Sequence, residues 1–271
     1  MSGLIIASPA LQRDVRMAVK VCALQLKDLK DWQTIAQKPE LDPENWGMRK
    51  QRQVGNDCQG QALATGIERT MFYTHGTKDQ LSDVFAYQRT EEVDRSFGAN
   101  QGSSIHGGVK VASQIGIPTE QLYPYTINGK WNYITNLREF KARQTPEVLA
   151  SMERNRIASY EPAPEFQKAL AGVVCGGSIH WGTGWPLRWN SQRIVTAYIA
   201  GSGGHATEGV WVKLINGKWH LKFLNSHGDG FYYVDEIGYE QARAKSPYGA
   251  FLMLPKDPVE QFYKGQFSLM G

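Results

Sequence analysis

The pair Asn216-Gly217, set between the apolar runs VWVKLI and KWHLKFL, restricts the fold more than any other feature of the sequence. Both residues tolerate positive φ, so two strands joined there form a hairpin whose facing residues are fixed by the turn. A turn centred on the pair sets position 205 opposite about position 228 and leaves Asn225 within about three residues of His205 across the ladder. Directly paired residues sit about 5 Å apart, so a small bulge brings these two side chains into hydrogen-bond range.

The hairpin belongs to a longer run of strand-like segments. From about residue 172, VVCGGSIHW, HATEGVWVKL, KWHLKFLNS, GFYYVDE and GAFLMLP are rich in β-branched and aromatic residues and are punctuated by glycine. The earlier part has a helical texture. Residues 8–37 predict an amphipathic helix, with Ser8 as N-cap, Pro9 at a first helical position and Leu11, Val15, Cys22, Leu26 and Leu29 on one face. The prolines of KPELDP, residues 38–43, then mark a boundary. Residues 59–74 predict a helix turning Ala62, Leu63, Ile67, Thr70 and Met71 inward, and another is expected near Ser82. A third starts at Ser103 or Ser104 and carries Ile105, Val109 and Ala112 inward as far as Gly116; PEVLASMER and PEFQKALAG are shorter candidates. Helices followed by strands define an α+β chain.

Composition narrows the function. With 30 basic and 26 acidic residues among 271, the net charge of +4 is too mild and too evenly spread for a nucleic-acid partner. No apolar run is long enough to span a membrane, and MSGLIIASPA lacks the basic segment of a secretory signal. The three cysteines, Cys22, Cys58 and Cys175, are odd in number and far apart, which fits a reducing compartment such as the cytoplasm and gives neither a disulfide framework nor the paired spacing of a zinc site. No metal or other cofactor is expected.

Cys58 sits where a glycine-containing loop meets the start of a helix. Backbone N–H groups and the helix dipole stabilise a thiolate at such a place. A lone cysteine there is more often a small buried apolar residue, so its surroundings matter. The segment QVGNDCQGQALATGIE resembles the active-site helix of papain-like cysteine peptidases, with Cys58, Gly60, Ala62 and Ala64 reproducing the C-x-G-x-A-x-A start of divergent members. GGHATEGVWV and NSHGDGFYYV are similar to the family's histidine and asparagine segments; GSSIHGGVKVASQIGIPTEQLYPY and LSDVFAYQ resemble its glycine-rich turn and neighbouring helices. The resemblance covers about residues 43–254.

That resemblance implies a two-lobe fold, with a helical N-terminal lobe, an antiparallel β-rich C-terminal lobe and the active-site cleft between them. It implies Cys58 as nucleophile, His205 as base, Asn225 as orienter of the base, and backbone pairing to substrate at Gly102 and Ser103. The chemistry is hydrolysis of a peptide or protein through a thiolate–imidazolium pair and an acyl-enzyme. Three positions depart from the family's pattern: Gln59 and His227 stand where tryptophan is usual, and Arg52 stands where the oxyanion glutamine is usual. Gln53 is the favoured replacement for that glutamine, with Gln51 the alternative. These departures keep a second reading in play, a catalytically silent fold serving as a binding or structural part of a larger assembly such as a viral particle. The expected organisation is an N-terminal arm over 1–40, a peptidase domain over 41–255 divided near residue 160, and a tail over 256–271. The arm is read either as a shortened pro-segment or as a helix that docks a partner.

Overall fold

In the strand Ala250–Leu254 the side chains alternate between two hydrophobic cores: Phe251 and Met253 join one, Leu252 and Leu254 the other. The two-residue period of a strand sends neighbours to opposite faces, so a sheet buried on both sides divides the interior in this way. The computed structural model describes residues 4–5, 32–45, 47–48, 52–185, 187–198, 203–228 and 230–255.

In chain order the helices are α1 (Trp32–Ala36), α2 (Cys58–His75), α3 (Asp83–Val93), α4 (Ile105–Lys110), α5 (Leu137–Ala142), α6 (Pro146–Arg154), α7 (Phe166–Val174) and α8 (Glu236–Lys245). The strands are β1 (Leu4–Ile5), β2 (Ser103–Ser104), β3 (Thr126–Ile127), β4 (Lys130–Trp131), β5 (Ser159–Pro162), β6 (Ser178–Gly184), β7 (Leu187–Trp189), β8 (Val195–Tyr198), β9 (Gly204–Ile215), β10 (Lys218–Asn225), β11 (Gly230–Val234) and β12 (Ala250–Leu254). Six of them form an antiparallel sheet in the order β11-β10-β9-β6-β12-β5. Helices α2 to α6 and their connections build the core on one face, and α7 and α8 contribute to the core on the other. This is an α+β, two-lobe architecture.

Local chemistry sets the helix starts. The hydroxyls of Ser82, Ser104 and Thr145 each accept a hydrogen bond from a backbone N–H of the first turn, and the Asp235 carboxylate caps α8 in the same way. Gly60 lets α2 and α3 lie close: a Cβ there would meet the Asp83 carbonyl at 2.5 Å and the Tyr87 Cβ at 2.6 Å. The α4 segment continues through a π turn, Val111–Ile115, to Gly116.

The hairpin follows its turn. Asn216 and Gly217 both have positive φ, and Ile215 faces Lys218 and Trp211 faces Lys222 before the register slips by one between Lys222 and Phe223. The bulge expected from the His205–Asn225 spacing lies there, and Phe223 faces Gly209 beyond it.

Some expectations need correction. VVCGG is not strand: Val173 and Val174 end α7 and bury in the second core, so β6 begins only at Ser178. GFYYVDE stops as a strand at Val234, because Asp235 is committed as a cap. Of the two expected starts of the next helix, Ser104 is the one that caps it, and Ser103 lies in a two-residue strand. Of the helix expected over 8–37, residues 8–31 lie outside the described residues, and Trp32–Ala36 is helical. Cys22, Gln51 and the tail beyond residue 255 also lie outside them.

Candidate active site

Cys58 opens α2 and is fully buried. The preceding residue, Asp57, occupies the N-cap position, yet its carboxylate makes no capping bond. It turns away to accept from the Tyr125 hydroxyl at 2.7 Å, from Gln61 Nε2 at 3.1 Å and from the Gly55 N–H at 3.2 Å. Tyr125 also accepts from the Val54 N–H at 2.8 Å, so one phenol holds the loop that delivers Cys58. Burial pushes the Asp57 carboxyl up from its ordinary value, and the hydrogen bonds it accepts from Tyr125, Gln61 and Gly55 act against that shift.

His205 lies near the start of β9, against which α2 packs. Its Nε2 is 2.8 Å from Asn225 Oδ1. An amide oxygen only accepts, so Nε2 carries the proton, and in the neutral ring the lone pair is on Nδ1. The ring is walled by His227, stacked at 4.2 Å between centroids, and by Trp185 at 4.4 Å. Burial, then the proximity of His227, pushes His205 down to about 3, with the Asn225 hydrogen bond acting the other way. In this closed environment the imidazole is a neutral base, and only a compensating anion could hold it charged.

Gln53 sits beside this group. Its backbone N–H donates to the Ser226 carbonyl at 2.9 Å, its Oε1 accepts from the Ser226 hydroxyl at 2.7 Å and its Nε2 donates to the Gly55 carbonyl at 3.0 Å. Next to it, Arg52 and His227 form an antiparallel bridge. The loop ahead of Cys58 is thus fastened to the chain that follows Asn225.

Gly102 and Ser103 lie on the helical side. The Gly102 N–H donates to the Tyr87 hydroxyl at 3.1 Å, and the Ser103 hydroxyl donates to Gln59 Oε1 at 2.8 Å. The backbone of β2 is already paired: β1 runs parallel to it, Leu4 opposite Ser103 and Ile5 opposite Ser104, and β1 also lies against β9. The chain's own first strand therefore lies between the residues read as substrate-pairing and the strand that bears His205.

Sequence reading missed Trp185, Asp57 and Tyr125. Trp185 packs on the His205 ring although the resemblance puts the usual tryptophan at position 227, and the Trp185 and His227 ring centroids are 5.2 Å apart. It reaches there from the connection between β6 and β7, which no local pattern places beside β9. The asparagine-aspartate step before Cys58 was visible, but not its partner Tyr125, 68 residues away. Among the described residues, no cluster of three His, Cys, Asp or Glu side chains could hold a metal ion, and no helix is long and apolar enough to cross a membrane. A cavity of about 500 Å³ bordered by Asn190, Tyr198, Lys218 and Asp235 shares no lining residue with the site.

Helical lobe, antiparallel sheet and a cysteine-led helix packed on that sheet define the papain-like fold. Known structures agree. The chain is similar to xylellain, a cysteine protease from Xylella fastidiosa (TM-score 0.56, 17% identity, covering 76% of this chain and 82% of that one). It is similar to the Carica candamarcensis cysteine protease CMS1MS2 in complex with E-64 (TM-score 0.53, 16% identity, 76% and 92% covered). Procathepsin B S9 from Trypanosoma congolense also matches (TM-score 0.51, 13% identity, 79% and 76% covered). No protein-family model and no curated protein sequence matches the chain.

Proposed function

We propose that the chain is a cysteine peptidase in which Cys58 attacks the peptide carbonyl, His205 takes the thiol proton on Nδ1 and Asn225 holds the imidazole in that tautomer. The observation that carries this reading is the 2.8 Å contact from His205 Nε2 to Asn225 Oδ1. It leaves a basic nitrogen on a strand that packs against the helix Cys58 begins. Attack forms the C–S bond and a tetrahedral oxyanion; His205 returns the proton to the leaving amine, and water then hydrolyses the acyl-enzyme. The Cys58 N–H at the helix terminus and the second Nε2 hydrogen of Gln53 are the donors we assign to the oxyanion. The substrate is a peptide or protein, and a reducing compartment suits three cysteines that are odd in number and far apart in the sequence.

The N-terminal arm, residues 1–40 in this reading, enters the mechanism through β1. Strand β2 cannot pair with β1 and with a substrate on the same edge, so turnover requires β1 to leave. Proline at position 5 has no backbone N–H to donate and disfavours a paired strand there.

Both points are tested by the rate of alkylation of Cys58 by iodoacetamide between pH 5 and 9. Ile5→Pro is expected to react at least tenfold faster than the unaltered chain. In Ile5→Pro the reaction should stay fast down to pH 5–6, and adding His205→Ala should restore the profile of an ordinary thiol with a pKa near 8.5. An ordinary thiol profile in Ile5→Pro itself overturns the peptidase reading in favour of a silent fold. Equal rates with and without proline overturn the role given to β1.

A further inference from the structure

The residue after the nucleophile, Gln59, is fully buried, and its amide is engaged at both ends. Its Oε1 accepts from the Ser103 hydroxyl at 2.8 Å, and its Nε2 lies 3.4 Å from His180 Nε2. His180 Nδ1 is in turn 2.8 Å from Glu208 Oε2. His180 on β6 and Glu208 on β9 are direct cross-strand partners, so the register of the central sheet sets this last contact. All four side chains are buried, where an unmade hydrogen bond is costly.

The chemistry of each group fixes the direction of the chain. Ser103 donates to the amide oxygen, so the amide nitrogen faces His180 and donates to Nε2. Nε2 then holds the lone pair, and the ring proton lies on Nδ1, directed at the Glu208 carboxyl. Burial disfavours the charged form of that carboxyl, and His180, Ser178 and Arg69 act the other way. The backbone leaves room for this run of bonds at Gly108, where a Cβ would stand 1.9 Å from Gln59 Nε2 and 3.0 Å from His180 Nε2.

This run of bonds ends in the segment 102–104, which is held at each of its three residues. The Gly102 N–H is bound to the Tyr87 hydroxyl, and the Ser104 N–H and hydroxyl reach the Asp94 carboxylate at 2.6 and 2.7 Å. Ser103 is the middle residue, and Gln59 is what holds its side chain. We propose that Gln59, His180 and Glu208 are positioning residues that fix Ser103, and with it the substrate-pairing strand β2, to the helix carrying the nucleophile. This rests on the peptidase reading only in taking β2 as the place where a substrate backbone pairs. The network acts on how substrate is held across the sulfur and leaves the thiol's own reactivity to His205.

Steady-state hydrolysis of a peptide amide by the full chain carrying Ile5→Pro tests this. Gln59→Met, which fills the same space without hydrogen-bonding, is expected to raise KM about tenfold, the worth of one such bond. The kcat and the iodoacetamide rate at Cys58 should stay within about twofold. His180→Phe should give the same change, and the double variant no further loss, because the residues act as one unit. Glu208→Gln, which keeps an acceptor for His180, should restore the KM that Glu208→Leu loses. A fall in kcat and alkylation with KM unchanged, or no change in any of them, overturns the proposal. The same comparison of Kd for that peptide in a Cys58→Ser background needs no turnover. A parent that binds but never hydrolyses removes the peptidase reading alone, whereas Kd values that do not weaken in Gln59→Met and His180→Phe remove this one.

Discussion

His205→Ala is expected to lower kcat/KM for peptide hydrolysis by about 10²–10⁴-fold, the usual contribution of a positioned acid–base group. Steady-state assays on the chain opened by Ile5→Pro check it. Asn225→Ala should cost less, about tenfold, because it removes one neutral hydrogen bond and leaves the base present. A His205→Ala variant within a few-fold of its parent would remove the imidazole from the mechanism. The same substitution has a second readout. The folded pKa of about 3 lies below the ordinary histidine value, so the unfolded chain takes up the proton first. Stability from the buried neutral ring is complete above about pH 6.5 and is lost as pH falls toward 3. Denaturant unfolding between pH 7 and pH 4 should therefore show a shallower loss in His205→Ala than in the parent; equal slopes would mean that the ring is hydrated in the folded chain.

The second large effect concerns Lys222, whose side chain is fully buried in β10. Its Nζ is 2.8 Å from both oxygens of Asp42 and 2.7 Å from Glu44, and it lies over the Phe231 ring. Taking the partners away strands a charge in the interior, which costs far more than removing the charge itself. Asp42→Asn with Glu44→Gln should therefore lower stability by about 3 kcal/mol, the low end of the buried-pair range because Glu44 is half exposed. Lys222→Met, which removes the charge and keeps the stem's volume, should change stability by no more than about 1 kcal/mol. Urea unfolding measures both, and equal losses would mean that the charge is solvated. The contact matters for the fold because it ties residues 42–44, just beyond the N-terminal arm, to the hairpin strand that ends at Asn225.

Much of this was legible in the chain, for local reasons. Ser82 and Ser104 cap helices because a hydroxyl satisfies an orphan N–H within three residues, a rule that needs no tertiary contact. Val173 and Val174 misled because a run of β-branched residues suits a buried helix face as well as a strand. His180 is fully buried between Gln59 and Glu208. Its partners lie 121 and 28 residues away, so no window of sequence could have joined them.

By itself the sequence determined the hairpin and the reach between His205 and Asn225. Asn216-Gly217 sets the register, and a strand's period then decides which residues can meet. The tertiary structure alone decided that Trp185 and His227 wall the imidazole, that burial keeps it neutral, and that β1 lies on the strand read as substrate-pairing. Desolvation and long-range pairing depend on what the folded chain brings together from distant segments, and local pattern carries no record of that.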